Sequence, residues 1–233
     1  MIRSKGRRPL TCHHEAGHAL ARWYFGHRIN RAIVLTVEQV RAGVQMENRR
    51  GIPVVGCEGM VDAYSICGYP YGPARMTIDP ADATTDFLRL WCVSRDIALI
   101  ECYAGFYAEA AYRRCSVAGS MLAGGDRDMK SAEAILGGWN LSEEERRSLS
   151  LAAEDRASAL VRSRMGSAAI QSIATSLMIH GEIDGDEIAS LCRAAYGDRE
   201  CAFGAWSDHW PPTLAQIRSG HIPDPPAPTR AVV

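Results

Sequence analysis

Cys12-His13-His14-Glu15-Ala16-Gly17-His18-Ala19-Leu20 is the stretch on which the reading of this chain turns. Within it, His14-Glu15-x-x-His18 follows the pattern His-Glu-x-x-His. On a helix, residues four apart share a face about one turn from each other, so both imidazoles can reach one zinc ion. Glu15 is rotated by about 100° from His14 and can approach a zinc-bound water without being a ligand. Zinc brings the pKa of that water to roughly 7, where a nearby carboxylate can take its proton. The pattern therefore predicts the chemistry of a zinc peptidase, with Glu15 as general base. Two plainer origins compete with it: a chance coincidence on an amphipathic helix, and a structural zinc site. A structural site has no use for the glutamate and normally takes four protein ligands, often cysteines.

Working outward, residues 1–9 read as a loose, locally basic start, and Thr11 is placed to cap a helix running to about Phe25. Ala16, Ala19, Leu20 and Trp23 supply its packing face. Gly17, a poor helix former, is expected to let another segment approach the helix closely. His13 points away from His14 and reads as a surface or core polar residue, and His27 belongs to the helix exit near Gly26. Ala32 to Val37 is rich in β-branched residues and predicts a strand. Glu38 to Arg41 then turns, and Ala42 to Glu47 is expected to pair with that strand. Residues 48–85 carry recurrent Gly and Pro and read as a long excursion, with one short strand at Glu58 to Ala63. The Tyr64, Tyr69 and Tyr71 cluster is expected to pack that excursion down.

A long helix is predicted over Asp86 to Arg114, capped by Thr84 or Thr85, with Phe87, Leu90, Trp91, Ile97, Ala98, Ala104 and Ala108 as its buried stripe. Ser142 with Glu145 makes a capping box for a helix to about Met165. Ala169, Ile170, Ile173, Ala174, Leu177 and Met178 form a further stripe, closed by Gly181 as a C-cap. Asp184 to Glu187 offers a second box, opening a helix through Cys192. From Gly197 onward, prolines at 211, 212, 223, 225, 226 and 228 favour an extended tail, part of which Trp206 and Trp210 can dock. His209 and His221 read as tail histidines without a ligand.

The chain has 233 residues, enough for one domain with a core, or one domain and a tail. At 47% hydrophobic and 23% charged it has the composition of a globular protein. A net charge of −1 gives no global attraction to nucleic acid, and Arg3 to Arg8 is a short basic arm without a recognition motif. No apolar run reaches the 18 residues of a membrane span, since Glu101 and Glu109 interrupt the most apolar stretch, Ile97 to Tyr112. Eight cysteines without a Cys-x-x-Cys pair, and no secretion signal, predict reduced thiols in a cytoplasmic protein. Cys12 lies two residues before His14 and is close enough in sequence to reach toward a metal as an inhibitory thiolate.

His14-Glu15-Ala16-Gly17-His18-Ala19-Leu20 resembles the peptidase domain of FtsH, the membrane-bound ATP-dependent zinc protease family. Arg41-Ala42-Gly43 resembles that family's Arg-Ala-Leu-Gly stretch with one residue missing, beside an edge strand that aligns substrate. Ala104-Gly105-Phe106-Tyr107-Ala108-Glu109-Ala110 is similar to its Gly-Gly-Arg-x-Ala-Glu-Glu, which makes Glu109 a partner for the outer nitrogen of a liganding histidine; the second family glutamate is Ala110 here. Ala123-Gly124-Gly125-Asp126-Arg127-Asp128-Met129 is similar to Thr-Gly-Ala-x-Asn-Asp-Leu, whose aspartate is the third zinc ligand. By position that ligand is Asp128, with Ala123 in place of the threonine and Arg127 in place of the asparagine. Asp126 is the rival ligand, and also a candidate helix N-cap. The turn from Gly181 to Glu187 is like the family's closing segment, and the likeness as a whole covers residues 10 to 195.

The resemblance implies an α+β, mostly α-helical, zincin-like metallopeptidase domain over 10–196, with a small hairpin or sheet and a helical C-terminal half, followed by a Pro-rich tail over 197–233. It implies a Zn²⁺ ion on His14, His18 and Asp128, Glu15 as catalytic base and Glu109 behind the histidines. Such a site could also take other divalent ions. The expected substrate is a protein or peptide. No Gly-x-x-x-x-Gly-Lys-(Ser/Thr) loop occurs in the sequence, so flexible or unfolded segments are the expected targets unless a separate ATPase or adaptor assists. The competing expectation is a catalytically inactive metal-binding or interaction protein derived from such a peptidase.

Overall fold

The computed structural model describes residues 7–48, 50–54, 56–63, 84–118, 126–202, 205–206 and 209–224. The tyrosine cluster at 64–71, the Ala123 to Gly125 turn and the prolines beyond 224 lie outside them.

Helix α1 (Arg7–Tyr24) is the centre of the molecule. It begins at Arg7, five residues earlier than the Cys12 start that a Thr11 cap predicts. Pro9 falls in the first turn, where its missing N–H would have had no helical partner anyway. Thr11 instead donates its hydroxyl back to the Arg7 carbonyl at 3.2 Å. Arg7 pairs with Glu58, and Arg8 donates to the carbonyls of Met178 and Leu177, so the added turn is tied down at both residues. Cys12, Ala16, Ala19, Leu20 and Tyr24 are wholly buried, because helices and a sheet surround α1.

Strand β1 (Ile29–Val34) is followed by the short helix α2 (Val37–Arg41), the two-residue strands β2 (Met46–Glu47) and β3 (Pro53–Val54), and β4 (Gly59–Ala63). β1 lies between β4 and β5 (Glu182–Asp184), antiparallel to both, with Ala32 opposite Val61 and Ile183. This corrects the expected pairing of 32–37 with 42–47. The sequence signal is Thr36-x-x-Gln39, a capping box formed in both directions, which ends the strand and starts a helix where a turn was expected. Met46 and Glu47 pair with Val54 and Pro53 instead. The strand predicted at Glu58 to Ala63 is present and takes the place beside β1.

Helix α3 (Thr85–Arg113) packs along α1. Trp91, Ile97, Ala104 and Ala108 are buried as the stripe predicts, whereas Leu90 is 41% exposed. The remaining helices are α4 (Asp126–Gly137), α5 (Glu143–Arg162), α6 (Arg164–His180), α7 (Gly185–Ala195) and α8 (Leu214–Arg218). The Ser142–Glu145 box opens α5, and Gly181 closes α6 at φ +78. Asp184 caps α7 by accepting from the Glu187 N–H. Helix α5 stops at Arg162, short of the predicted Met165, because Ser163 caps α6.

The chain beyond 197 is docked in part rather than simply extended. Cys201, Ala205, Trp206, Ile217 and Ile222 belong to the same buried cluster as α1. Trp206 donates its indole N–H to the Tyr24 carbonyl at 2.9 Å, and the Tyr24 hydroxyl donates to the His221 carbonyl at 2.6 Å. Trp210 donates to Asp96 at 3.1 Å. Burying each such large apolar side chain contributes about 1.5–3 kcal/mol, which offsets the entropy of ordering a proline-rich segment. The architecture is α+β and mostly helical, with small antiparallel sheets.

Candidate metal centre

His14 and His18 lie one turn apart on α1 and face α3. Asp128, in the first turn of α4, reaches both of them from more than 100 residues away in sequence. Its Oδ2 stands 2.9 Å from His14 Nε2 and 3.4 Å from His18 Nε2, and the two Nε2 atoms are 3.0 Å apart. Asp126 opens α4, but its side chain lies outside the described residues. His14, His18 and Asp128 are also the one group of three such side chains, among the described residues, whose geometry could hold a metal ion.

The donor set fits zinc. Ligands 2.0–2.1 Å from a tetrahedral zinc stand about 3.3 Å from each other, and the three separations here bracket that edge. Two imidazoles and one carboxylate leave the fourth position open, as a catalytic site requires. Space is kept by Gly105 of α3. A methyl group there would fall 2.6 Å from His18 Nε2 and 2.8 Å from His14 Nε2.

The ring of His18 is oriented from behind. Its Nδ1 lies 2.7 Å from the Glu101 carbonyl oxygen, which can only accept, so Nδ1 carries the proton and Nε2 presents a lone pair to the cluster. The Glu101 carboxylate is held in turn by His27 Nδ1 at 2.6 Å and Arg22 Nε at 3.4 Å. Burial alone would raise the Glu101 pKa, but His27 and Arg22 more than offset it and hold it below the usual glutamate value. Sequence reasoning missed this network. The signal was there: a glutamate inside the most apolar helical run is seldom buried without a partner. His27, read as a helix-exit residue, is that partner.

Behind His14 stands Glu109, with Oε2 3.6 Å from Nδ1, close enough for charge attraction but longer than a formed hydrogen bond. Glu109 also pairs with Arg113 one turn on, at 3.2 Å. Ala110, next to Glu109, is buried.

The cluster calls for positive charge. Burial acts to lower the His14 pKa, yet the carboxylates of Asp128 and Glu109 outweigh it and raise His14 to about 10. Asp128 is half-buried, and although burial acts to raise its carboxyl, the histidines hold it well below the usual aspartate range. A proton on His14 supplies the balancing charge in the metal-free protein, and a divalent cation can supply it instead.

Glu15 is 7% exposed, and its burial pushes its carboxyl pKa up. It lies against the start of β4. A methyl group at Gly59 would stand 2.6 Å from Glu15 Oε1. Gly17 meets its expectation in the same way, since a Cβ there would come within 2.5 Å of the Ala104 carbonyl of α3. His13 is buried, with Nδ1 2.8 Å from the Pro9 carbonyl and its ring stacked on Tyr112, and is not among the candidate ligands. Cys12 is not among them either, and burial raises its thiol to about 11. Arg127 turns outward to Cys57, donating to its sulfur at 3.2 Å.

No protein-family model matches the chain, and no curated protein matches it. Among the described residues, no helix is long and apolar enough to cross a membrane.

Proposed function

We propose that the protein is a zinc-dependent endopeptidase of zincin type, similar to the FtsH peptidase domain, acting on flexible or unfolded protein segments in the cytoplasm. The observation that carries this reading is the convergence of His14 Nε2, His18 Nε2 and Asp128 Oδ2, with a buried glutamate one residue along from the first ligand. A zinc ion on those three atoms would supply Lewis-acid polarisation of a scissile carbonyl and an acidified water.

The chain's own residues do the rest. The Glu101 carbonyl keeps the His18 lone pair aimed at the cluster, and Asp128 balances the charge there. Glu15, made more basic by its burial, accepts the proton of the attacking water and returns it to the leaving amine. Strand β4, not the 42–47 segment, is the strand that passes Glu15, and among the described residues its outer edge pairs with no other strand. An extended substrate can add there through main-chain hydrogen bonds, which tolerate many sequences. The sequence shown carries no phosphate-binding loop for ATP, and the proposed targets are accordingly flexible or already unfolded segments, with an ATPase or adaptor assisting on folded ones.

A second reading, an inactive metal-binding or interaction protein, is favoured by one observation: Ala110 leaves the buried face of α3 without the second carboxylate. One experiment separates the two. Glu15→Gln is expected to keep about one zinc per chain and to lose cleavage of unfolded casein by 10²-fold or more, on the scale of a general base. Asp128→Ala is expected to lose zinc and cleavage together. Casein cleavage undiminished in Glu15→Gln, or wild-type protein that cuts nothing with zinc bound, would leave the second reading standing.

A further inference from the structure

Arg127 directly precedes Asp128, the third candidate ligand, in the first turn of α4. Neighbours on a helix point about 100° apart, so the two side chains leave α4 in different directions, as His14 and Glu15 leave α1. Arg127 is exposed, and its guanidinium donates to Cys57 Sγ at 3.2 Å. Cys57 lies two residues before Gly59, the glycine that sits against Glu15 Oε1, and two extended residues span at most about 7 Å. The guanidinium therefore stands toward the Glu15 side of the three ligands, whereas Glu101 and Glu109 stand behind the histidines. Charge agrees with that placement. Glu15 and Asp128 both act to raise the Cys57 thiol pKa, and Arg127 acts against them.

Cys57 is a weak resting partner for a cation. Burial is the largest influence on its thiol and raises it, so the sulfur is neutral at pH 7, and a neutral sulfur accepts poorly. The cysteine also packs against the apolar cluster of Ile33, Leu35 and Met46, which holds it in place. A guanidinium resting on such a sulfur gains by exchanging to an anionic oxygen, to which its hydrogen bonds are strongest. Peptide hydrolysis creates one. As water adds to a scissile carbonyl, negative charge gathers on the carbonyl oxygen, and the carboxylates of Glu15 and Asp128 repel it. Arg127 is a cation from a neighbouring position that can offset that repulsion.

We propose that Arg127 leaves Cys57 and donates to the carbonyl oxygen of the scissile peptide as that oxygen becomes anionic. This role rests on the peptidase reading above. The water oxygen bonds to the carbonyl carbon, and the carbon–oxygen π pair moves onto the carbonyl oxygen. Glu15 takes one water proton and passes it to the leaving nitrogen as the C–N bond breaks and the C=O bond re-forms. The other water proton stays on the acid product until solvent removes it. Arg127 remains protonated throughout and lowers the barrier by charge and hydrogen bonding alone.

The test uses the full chain loaded with zinc, as wild type, Arg127→Ala, Arg127→Lys and Cys57→Ala. Circular dichroism and zinc content check that each folds and holds about one zinc. The probe is a phosphinic peptide, whose tetrahedral anionic centre copies the adduct, with binding read by titration calorimetry. Arg127→Ala is expected to weaken phosphinate binding by tenfold or more. It should also lower kcat on a casein peptide about 10²-fold, with KM within about threefold of wild type. Arg127→Lys keeps the charge without the fork and should recover part of both losses. Cys57→Ala should keep both within about threefold. Losses in Cys57→Ala equal to those of Arg127→Ala would make the pair a structural tie and overturn the proposal. Phosphinate affinity that does not depend on Arg127 would overturn it as well, and cutting by the wild type would then leave the peptidase reading intact. Wild-type protein that cuts nothing, yet binds phosphinate through Arg127, removes the peptidase reading and keeps the contact with the anionic oxygen.

Discussion

Gly105 stands where any larger residue would put a methyl group against both histidine Nε2 atoms. Gly105→Ala is therefore expected to lower zinc affinity by more than tenfold while circular dichroism stays unchanged, since alanine is the better helix former. Zinc content after dialysis checks it, and full occupancy in the variant would contradict the assigned site. The charge state of His14 gives a pH dependence with a definite sign. His14 is raised to about 10, so at neutral pH it holds a proton that zinc must expel. Affinity should thus rise with pH, by up to about tenfold per unit between pH 6 and 8, measured by competition with a chromophoric chelator. At this scale the motif was legible because its residue types and spacing are local. Asp128 was legible only through resemblance, since nothing in its own surroundings in sequence says that it meets His14. That Glu101 needs a partner was legible from its apolar surroundings, but that His27 is that partner, and that Gly59 keeps space for Glu15, were not, because each acts across a tertiary contact.

The elements follow their caps. Ser142 with Glu145, Thr36 with Gln39, and Thr213 with Gln216 all form capping boxes, and each marks a helix start. The first was recognised in the sequence, whereas the other two were passed over because each helix they open is only five residues long. Ser163 has a stricter task. It is buried between α5 and α6, accepts from the Gly166 N–H at 2.9 Å and donates to the Leu160 carbonyl at 2.8 Å. Ser163→Ala removes both side-chain bonds; the Leu160 carbonyl keeps the residue-163 N–H at 3.3 Å, but the buried Gly166 N–H is left unpaired, which should cost about 1–2 kcal/mol. For a chain of this size that lowers Tm by about 2–8 °C, readable by thermal melting. A smaller drop than that of an exposed cap variant such as Ser142→Ala would show that Ser163 is not the hinge between the two helices.

Across the whole molecule, α1 is held from several sides at once: α3 and α6 along its length, the β1 sheet on another side, and the Trp206 segment over Tyr24. Trp206 is 2% exposed, so Trp206→Ala should destabilise the fold by about 3–5 kcal/mol, measured by urea unfolding. A loss below 1 kcal/mol would mean that the segment beyond 197 is not part of the cooperative core. The sequence by itself determined the motif helix, the long helix after it and most helix boundaries, because spacing, caps and glycine stops act over a few residues. Tertiary structure alone decided that β1 pairs with β4 and β5 rather than with 42–47, that the C-terminal segment docks, and that Asp128 closes on the two histidines. The physical reason is shared: strand partners, docked tails and three-point metal geometry depend on which distant surfaces bury each other, and periodicity along the chain does not encode that choice.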